Sequence, residues 1–255
     1  MFQFFQNWLN RRVIRRSAIA PQQWSKAFAS LPLLKGLTAD EQKTLQELAI
    51  LFLHHKVFEG AAGLEVTEDM QLIIALQACL PILMLGWGGY DNWVTVIVYP
   101  AGFAPERVVR DEYGVEHFVQ SHLSGEAWYR GPVILSWEDT EDAGIIDGHN
   151  LLIHEFAHKL DMQSGYANGC PLLHEGMSPQ AWKDALTAGY EDLQNKCKHG
   201  DGIGIDCYAT SSPAEYFAVL SEVFFERPGI ITSHYPDVYE QLRQYYRQDP
   251  LTRLS

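Results

Sequence analysis

The sequence predicts an α+β fold in which a small mixed sheet lies between two mainly helical parts. Residues up to about 90 carry apolar side chains at helical spacing, whereas the segments between 93 and 137 are rich in β-branched and aromatic residues. Helical spacing returns in the last third. With 255 residues and no linker-like segment, we expect one domain over 1–255, with a helical N-terminal part at about 1–90 and a functional core at about 91–255.

The N-terminal part is predicted to contain three helices. The first begins at Pro21 and ends near Gly36, and the second begins with a capping box formed by Thr38 and Glu41. The third begins at Thr67 and carries an apolar stretch to about Leu85. Because this stretch is interrupted and shorter than a membrane span, it is predicted to be a core helix.

Three strands and an acidic loop are predicted next. The strands are Trp93–Tyr99, Val115–Leu123 and Pro132–Trp137, and the loop is Glu138–Asp142. Further helices are predicted around 151–164, over Pro179–Lys196, from Pro213 onward, and over Tyr235–Arg247.

Charge limits the classes of partner. The net charge of −13 argues against broad electrostatic binding to nucleic acid or to an anionic membrane. The four arginines between 11 and 16 are interpreted as a solvated helix face or a tail. The first five residues are apolar except for Gln3 and precede those arginines, the reverse of the order in a signal peptide, so we expect a soluble, cytoplasmic protein.

The four cysteines form no C-x-x-C pair. They are Cys79, Cys170, Cys197 and Cys207. Such sparse cysteines are typical of a reducing compartment, and we expect thiols that mainly pack in the interior. A role for Cys207 as a soft metal ligand is the less favoured alternative.

The segment His154-Glu155-Phe156-Ala157-His158 carries the chemistry. On a helix, side chains at positions i and i+4 share a face, so His154 and His158 can bind one cation. Glu155 between them is placed to act as the general base of a zinc hydrolase. Asn150 is the expected N-cap of this helix and Gly165 its expected stop. The alternative is that these three polar side chains are satisfied by hydrogen bonds inside the core.

A catalytic zinc usually takes three protein ligands, so one more is required. A metzincin would have glycine and histidine where this sequence has Asp161 and Ser164, so that class is excluded. Glu215 and Glu222 are the main candidates, although Glu215 equally fits a capping box with Ser212. The other candidates are Asp161, His174 and Glu175, and His149 is placed only as a residue lining the cleft.

The chain resembles the Mlc titration factor A family over nearly its full length. The resemblance is carried by the segment 154–161, by Tyr208 and by the run Glu215-Tyr216-Phe217-Ala218. They are similar, more distantly, to the catalytic domain of anthrax lethal factor, which has an acidic residue where this chain has Val219. In both, a tyrosine seven residues before the third zinc ligand faces the metal, and Tyr208 has that spacing from Glu215.

The resemblance implies a zincin-like metallopeptidase of the gluzincin type, with zinc held by His154, His158 and Glu215. Glu155 would be the general base and Tyr208 the oxyanion donor, although Tyr208 could also be an ordinary packing residue. Asp161 would support a zinc ligand or be a solvated helix end. The family also implies binding of the transcriptional repressor Mlc, and through it control of the glucose phosphotransferase system. The alternative function is mainly repressor sequestration, with hydrolysis secondary.

Overall fold

The computed structural model describes residues 2–102, 106–110, 116–120, 125–128, 131–142 and 145–254. The fold is mixed and mostly helical with a small sheet, in agreement with the predicted class. The helices are α1 Phe2–Arg16, α2 Pro21–Ser30, α3 Ala39–His55, α4 Glu68–Cys79, α5 Trp137–Asp142, α6 Leu151–Asp161, α7 Pro179–His199, α8 Pro213–Glu226, α9 Pro228–His234, α10 Pro236–Tyr246 and α11 Pro250–Arg253. The strands are β1 Val57–Gly60, β2 Thr95–Tyr99, β3 Glu106–Arg110, β4 Glu116–Gln120, β5 Gly125–Ala127 and β6 Val133–Ser136.

The main sheet has the strand order β1-β2-β6-β5 and is mixed, as predicted. Strands β1, β2 and β6 are parallel, with Ile97 opposite Ile134. Strand β5 pairs antiparallel with β6, with Glu126 opposite Ile134. Among the described residues, β5 is an edge strand of this sheet. Strands β3 and β4 form a separate antiparallel pair. The antiparallel edge strand is the part of the sheet nearest to the site described below.

The N-terminal helices follow their local signals. The Thr38 hydroxyl accepts a hydrogen bond from the amide of Glu41, and the Glu41 carboxylate accepts one from the amide of Thr38, so the predicted capping box is confirmed. Helix α4 ends at Cys79, six residues before the predicted end at Leu85. Pro81 explains the difference, because it has no amide hydrogen to continue the helical hydrogen bonding.

An aromatic cluster in the core fixes the helix that carries the histidine motif. The ring centroid of Phe156 on α6 lies 5.6 Å from that of Phe52, 5.4 Å from that of Tyr90 and 5.7 Å from that of Trp93. All four side chains are buried. Because such contacts join α3 and the start of β2 to one side of α6, they determine which side of α6 is left for the cleft.

Two predictions on local structure need correction. The third strand ends at Ser136, and the predicted loop Glu138–Asp142 is instead part of helix α5. The Ser136 hydroxyl accepts a hydrogen bond from the amide of Asp139, and acidic residues in a first turn complement the helix dipole, which stabilises this short helix. Strands β1, β3 and β5 were not predicted. Of the predicted strand Val115–Leu123, residues 116–120 form β4, and the rest lies outside the described residues.

The cysteines also differ from expectation. Cys197 and Cys207 form a disulfide that joins the end of α7 to a 3₁₀ turn, Cys207–Thr210. The prediction of free packing thiols is therefore wrong for this pair, and Cys207 is not available as a thiolate ligand. Cys79 is a buried free thiol and Cys170 an exposed one. In the described part of the chain, every helix is too short or too polar to cross a bilayer.

Candidate metal centre

Helix α6 brings the motif residues to one cleft. The Asn150 side chain caps the helix by accepting a hydrogen bond from the amide of Ile153 at 3.0 Å, as predicted. The helix ends at Asp161 and is followed by a 3₁₀ turn that Gly165 closes with a positive φ of 143°. Leu152, Ile153, Phe156, Ala157 and Leu160 are fully buried, so His154, Glu155 and His158 lie on the remaining side.

Helix α8 supplies the third side chain. Its N-cap Ser212 accepts a hydrogen bond from the amide of Glu215 at 3.2 Å, which is one half of a capping box. The Glu215 carboxylate oxygen Oε2 does not complete the box but lies 3.0 Å from His154 Nε2 and 3.3 Å from His158 Nε2. The cap thus uses only the Glu215 backbone, and the Glu215 side chain lies beside the two histidines.

The three donor atoms have the spacing of a metal site. The two Nε2 atoms of His154 and His158 are 3.1 Å apart, so all three separations lie between 3.0 and 3.3 Å. Ligands at 2.0–2.1 Å in tetrahedral geometry would be about 3.4 Å apart, close to this triangle. Among the described residues, His154, His158 and Glu215 form the one group of three such side chains that could hold a metal ion.

Glu222 contacts His154 but lies outside the group of three side chains that could hold a metal ion. Its Oε1 lies 2.7 Å from His154 Nδ1, on the opposite side of the ring from Glu215. A carboxylate there accepts a hydrogen bond from the Nδ1–H group of His154, which leaves the lone pair of Nε2 available for a metal. His158 differs, because its Nδ1 is buried and has no hydrogen-bond partner among the described residues.

The pKa values of His154 and Glu215 are shifted by the hydrogen bonds between them. Burial alone would lower the pKa of His154, but hydrogen bonds with Glu215 and Glu222 raise it to about 10. Burial would raise the pKa of Glu215, but hydrogen bonds from His154 and His158 hold it well below its usual range. Without a metal, a proton on His154 therefore supplies the positive charge between these carboxylates. A metal ion must displace that proton to bind.

A second layer of buried polar groups joins α8 to the start of α6. Glu222 Oε2 accepts a hydrogen bond from the amide of Asn150 at 2.6 Å. Glu226 accepts hydrogen bonds from the Asn150 side chain at 3.0 Å and from the amide of Gly148 at 2.9 Å. Burial raises the pKa of Glu226 to about 7 despite these donors. The side of α8 that contacts His154 therefore also contacts Asn150, the N-cap of α6.

The cleft above the three donor atoms is a cavity of about 260 Å³. Its walls come from β5, α6, the turn at Tyr208 and the start of α8; they are Gly125, Ala127, His154, Glu155, His158, Met162, Ala167, Tyr208, Ala214 and Glu215. Glu155 is buried, whereas Tyr208 is half exposed with its ring centroid 6.2 Å from that of His154. A Cβ atom on Gly125 would lie 2.4 Å from Glu155 Oε1, so the absence of a side chain there allows β5 to approach the glutamate.

The remaining candidates from the sequence lie elsewhere. His149 and Glu175 are exposed, and His174 Nε2 is 2.9 Å from the carbonyl of Gln244. Asp161 is fully buried, and its Oδ2 accepts hydrogen bonds from the amides of Asn168 and Gly169. The interpretation of Asp161 as a solvated helix end is therefore wrong, whereas its support of a zinc ligand stays a prediction. Its Oδ2 organises the loop after α6.

Sequence reasoning missed the functions of Glu222, Glu226 and the β5 residues. Glu215, Glu222 and Glu226 follow one another at spacings of seven and four residues, which places them on one side of a helix. That spacing predicts a shared face but not the partner of each carboxylate. For Gly125 and Ala127 no local signal was present.

Comparisons with known proteins show the family of this chain. The model of the family described as glucose-regulated metallo-peptidase M90 matches residues 5–247. Mlc titration factor A of Cronobacter sakazakii is 39% identical over 244 residues, covering 93% of this chain and 90% of that protein. Mlc titration factor A of Yersinia pestis is 39% identical over 237 residues, covering 91% of this chain and 87% of that protein. This chain belongs to the glucose-regulated metallo-peptidase M90 family.

Proposed function

We propose that this chain is a zincin-like, zinc-dependent peptidase of the gluzincin type, folded as one domain. In this proposal His154, His158 and Glu215 hold the zinc, Glu155 is the general base and Tyr208 stabilises the oxyanion. The observation that carries it is the triangle of donor atoms, 3.0 to 3.3 Å on each side, in the same cavity as Glu155 and Tyr208. Two imidazoles and one carboxylate are the ligands that catalytic zinc takes in such enzymes.

Zinc bound there would supply Lewis-acid chemistry, polarising the substrate carbonyl and lowering the pKa of a nearby water. Glu155 would take the proton from the attacking water and deliver it to the leaving amine. The Tyr208 hydroxyl would donate a hydrogen bond to the negative charge that develops on the carbonyl oxygen. Glu222 would hold His154 in the tautomer that offers Nε2 to the metal.

The edge strand β5 favours an extended peptide as substrate. It lines the cavity through Gly125 and Ala127 and is paired with β6 on one side. An exposed strand edge can bind a peptide through main-chain hydrogen bonds. A comparison of peptides with free and acetylated N-termini distinguishes an aminopeptidase from an endopeptidase: only an aminopeptidase requires the free amine.

Replacing Glu155 with glutamine tests the proposed mechanism. Zinc content is measured by mass spectrometry and peptide cleavage by chromatography, on the wild type and the variant. We expect about one zinc per chain in both proteins and a loss of about 10²–10⁴-fold in kcat for Glu155→Gln. Equal cleavage by both proteins, or a wild type that binds no zinc, would contradict the proposal.

A second candidate function is sequestration of a repressor, which the name of the relatives favours. Here the chain binds the repressor Mlc in the cytoplasm, and hydrolysis is secondary. With a net charge of −13, we expect it to contact neither DNA nor a membrane directly. A pull-down of Mlc with Glu155→Gln separates the two functions: unchanged binding would show that sequestration does not require catalysis. Absence of binding by both proteins would exclude the second function.

A further inference from the structure

Lys159, directly after the second motif histidine, is a buried lysine that forms no ion pair with any carboxylate in the described part of the chain. Only 2% of the residue is exposed. Its ammonium donates hydrogen bonds to the carbonyl of Trp128 at 2.6 Å and to the carbonyl of Gly131 at 2.8 Å. The ammonium also lies 4.9 Å from the centroid of the Trp93 ring, so an aromatic face completes its surroundings.

Both carbonyls belong to the connection between β5 and β6. Trp128 directly follows β5, and its amide donates to the carbonyl of Pro132 at 3.2 Å. The amide of Gly131 donates to the carbonyl of Trp128 at 3.0 Å. A charged donor that binds two carbonyls at such a turn forms stronger hydrogen bonds than a neutral one, so Lys159 attaches the end of β5 to α6.

Strand β5 depends on this attachment more than a longer strand would. It has three residues and pairs with β6 on one side. Gly125 and Ala127 nevertheless line the cavity that contains Glu155. Because Lys159 lies on the same helix as His154, Glu155 and His158, one rigid element carries both the metal-binding side chains and the anchor of the strand.

We propose that Lys159 is a positioning residue that holds the edge strand β5 at the correct distance from Glu155 for an extended peptide to bind. The inference rests on the proposed peptidase function for its substrate. Lys159 affects peptide binding through β5, and it takes part in neither metal binding nor proton transfer.

Lys56 provides a matched control, because it makes the same kind of contacts away from the cavity. It is 5% exposed, and its ammonium donates to the carbonyls of Tyr90 and Trp93 at 2.5 and 2.6 Å. It lies 3.8 Å from the centroid of the same Trp93 ring. Loss of either ammonium removes two hydrogen bonds and a contact with the Trp93 ring, and Lys56 also loses a contact with the Trp87 ring. Of the two lysines, only Lys159 contacts the β5–β6 connection.

The first experiment compares Lys159→Met with Lys56→Met by steady-state kinetics. For Lys159→Met we expect KM to rise about tenfold or more, with kcat within about threefold of the wild type and zinc content unchanged. In the Glu155→Gln background, peptide binding should weaken by the same factor as KM rises. Lys56→Met should leave KM and peptide binding as they are. Equal KM values for Lys159→Met and the wild type, or equal effects of the two substitutions, would overturn the proposal.

The second experiment does not depend on catalysis. Amide hydrogen exchange of residues 125–127 should become faster in Lys159→Met and stay unchanged in Lys56→Met. Unchanged exchange in Lys159→Met would refute the anchoring function. If the wild type cleaves no peptide, the peptidase proposal fails while this measurement still decides whether Lys159 holds β5.

A further variant covers the case in which Lys159→Met does not fold. A Cβ on residue 131 would lie 2.7 Å from the Cβ of Trp128, so Gly131→Ala displaces the same turn and leaves α6 intact. We expect this variant to raise KM and accelerate exchange in β5 with normal zinc content. An unchanged KM and unchanged exchange would count against the proposal.

Discussion

Helices α6 and α8 both contribute to the candidate metal centre, but they do so in different ways. On α6 the three residues with a proposed function, His154, Glu155 and His158, lie within five consecutive positions. On α8 three carboxylates extend over twelve positions, and each contacts something different. Glu215 contacts the Nε2 atoms of both histidines. Glu222 contacts Nδ1 of His154, and Glu226 contacts the segment before α6. Local spacing thus defines the chemistry of α6, whereas tertiary contacts define that of α8.

Burial increases along α8 in the same order. The Glu215 side chain is 21% exposed and that of Glu222 is 7% exposed, whereas the Glu226 residue is 2% exposed. A carboxylate that is removed from water must be neutralised by a partner or by a proton. The histidines satisfy this requirement for the first two, and protonation of Glu226 near neutral pH satisfies it for the third. The same residue type therefore serves three purposes on one helix.

Removal of Glu215 should have the largest effect, because it takes away a proposed ligand. We expect Glu215→Ala to lose its zinc to a competing chelator at concentrations that leave the wild type with about one zinc per chain, and to lose peptide cleavage with it. Zinc content after dialysis and cleavage rate are the measurements. Retention of zinc by this variant would show that Glu215 is not the third ligand and would leave Glu222 as the main candidate.

The tyrosine should be next in size. For Tyr208→Phe we expect kcat to fall by about 10²–10³-fold with unchanged zinc content, because a donor to the developing oxyanion is lost. Tyr190→Phe is the control: its hydroxyl binds the carbonyl of Thr210, at the same 3₁₀ turn but away from the cavity. If both substitutions lower kcat equally, the turn matters rather than the Tyr208 hydroxyl.

Loss of the Glu222 charge should affect metal affinity more than the chemical step. Support for a ligating histidine typically contributes about 10–100-fold to metal affinity, so we expect that loss for Glu222→Gln. At saturating zinc most of kcat should return, which distinguishes this variant from Glu215→Ala. Affinity is measured by competition with a zinc-binding dye. An affinity equal to that of the wild type would show that the 2.7 Å contact with His154 has no energetic importance.

The comparison of the two helices also shows what the sequence could predict. The motif on α6, its N-cap Asn150 and the capping box at Thr38 were readable, because each depends on residues three or four apart. Glu215 was equally consistent with a cap and a ligand: its amide takes part in the cap, and its function as a ligand stays a prediction.

Long-range contacts were not readable. His154 and Glu222 are 68 positions apart, and Lys159 and Trp128 are 31 apart. The three-residue strand β5 is too short for an alternating pattern, and the disulfide between Cys197 and Cys207 has no spacing signature. These features exist only because the fold brings distant segments together.

The smallest expected effect concerns the third carboxylate of α8 and is a pH dependence of stability. The pKa of Glu226 is raised to about 7 in the fold from an ordinary value of 4.5. The contribution of Glu226 to the free energy of unfolding is therefore complete below about pH 4.5. It is lost as the pH rises through 7, because the buried carboxyl must then ionise. Between pH 5 and 8, we expect the free energy of unfolding of the wild type to fall by about 2 kcal/mol relative to that of Glu226→Gln.

Urea unfolding of the metal-free proteins at each pH measures this difference, and the titration of His154 and Glu215 cancels because both proteins contain them. Glu138→Gln, which removes an exposed carboxylate on α5, should run parallel to the wild type across the whole range. A constant difference between wild type and Glu226→Gln would mean that Glu226 is ionised throughout. In that case the hydrogen bonds from Gly148 and Asn150 outweigh the effect of burial on the Glu226 carboxylate.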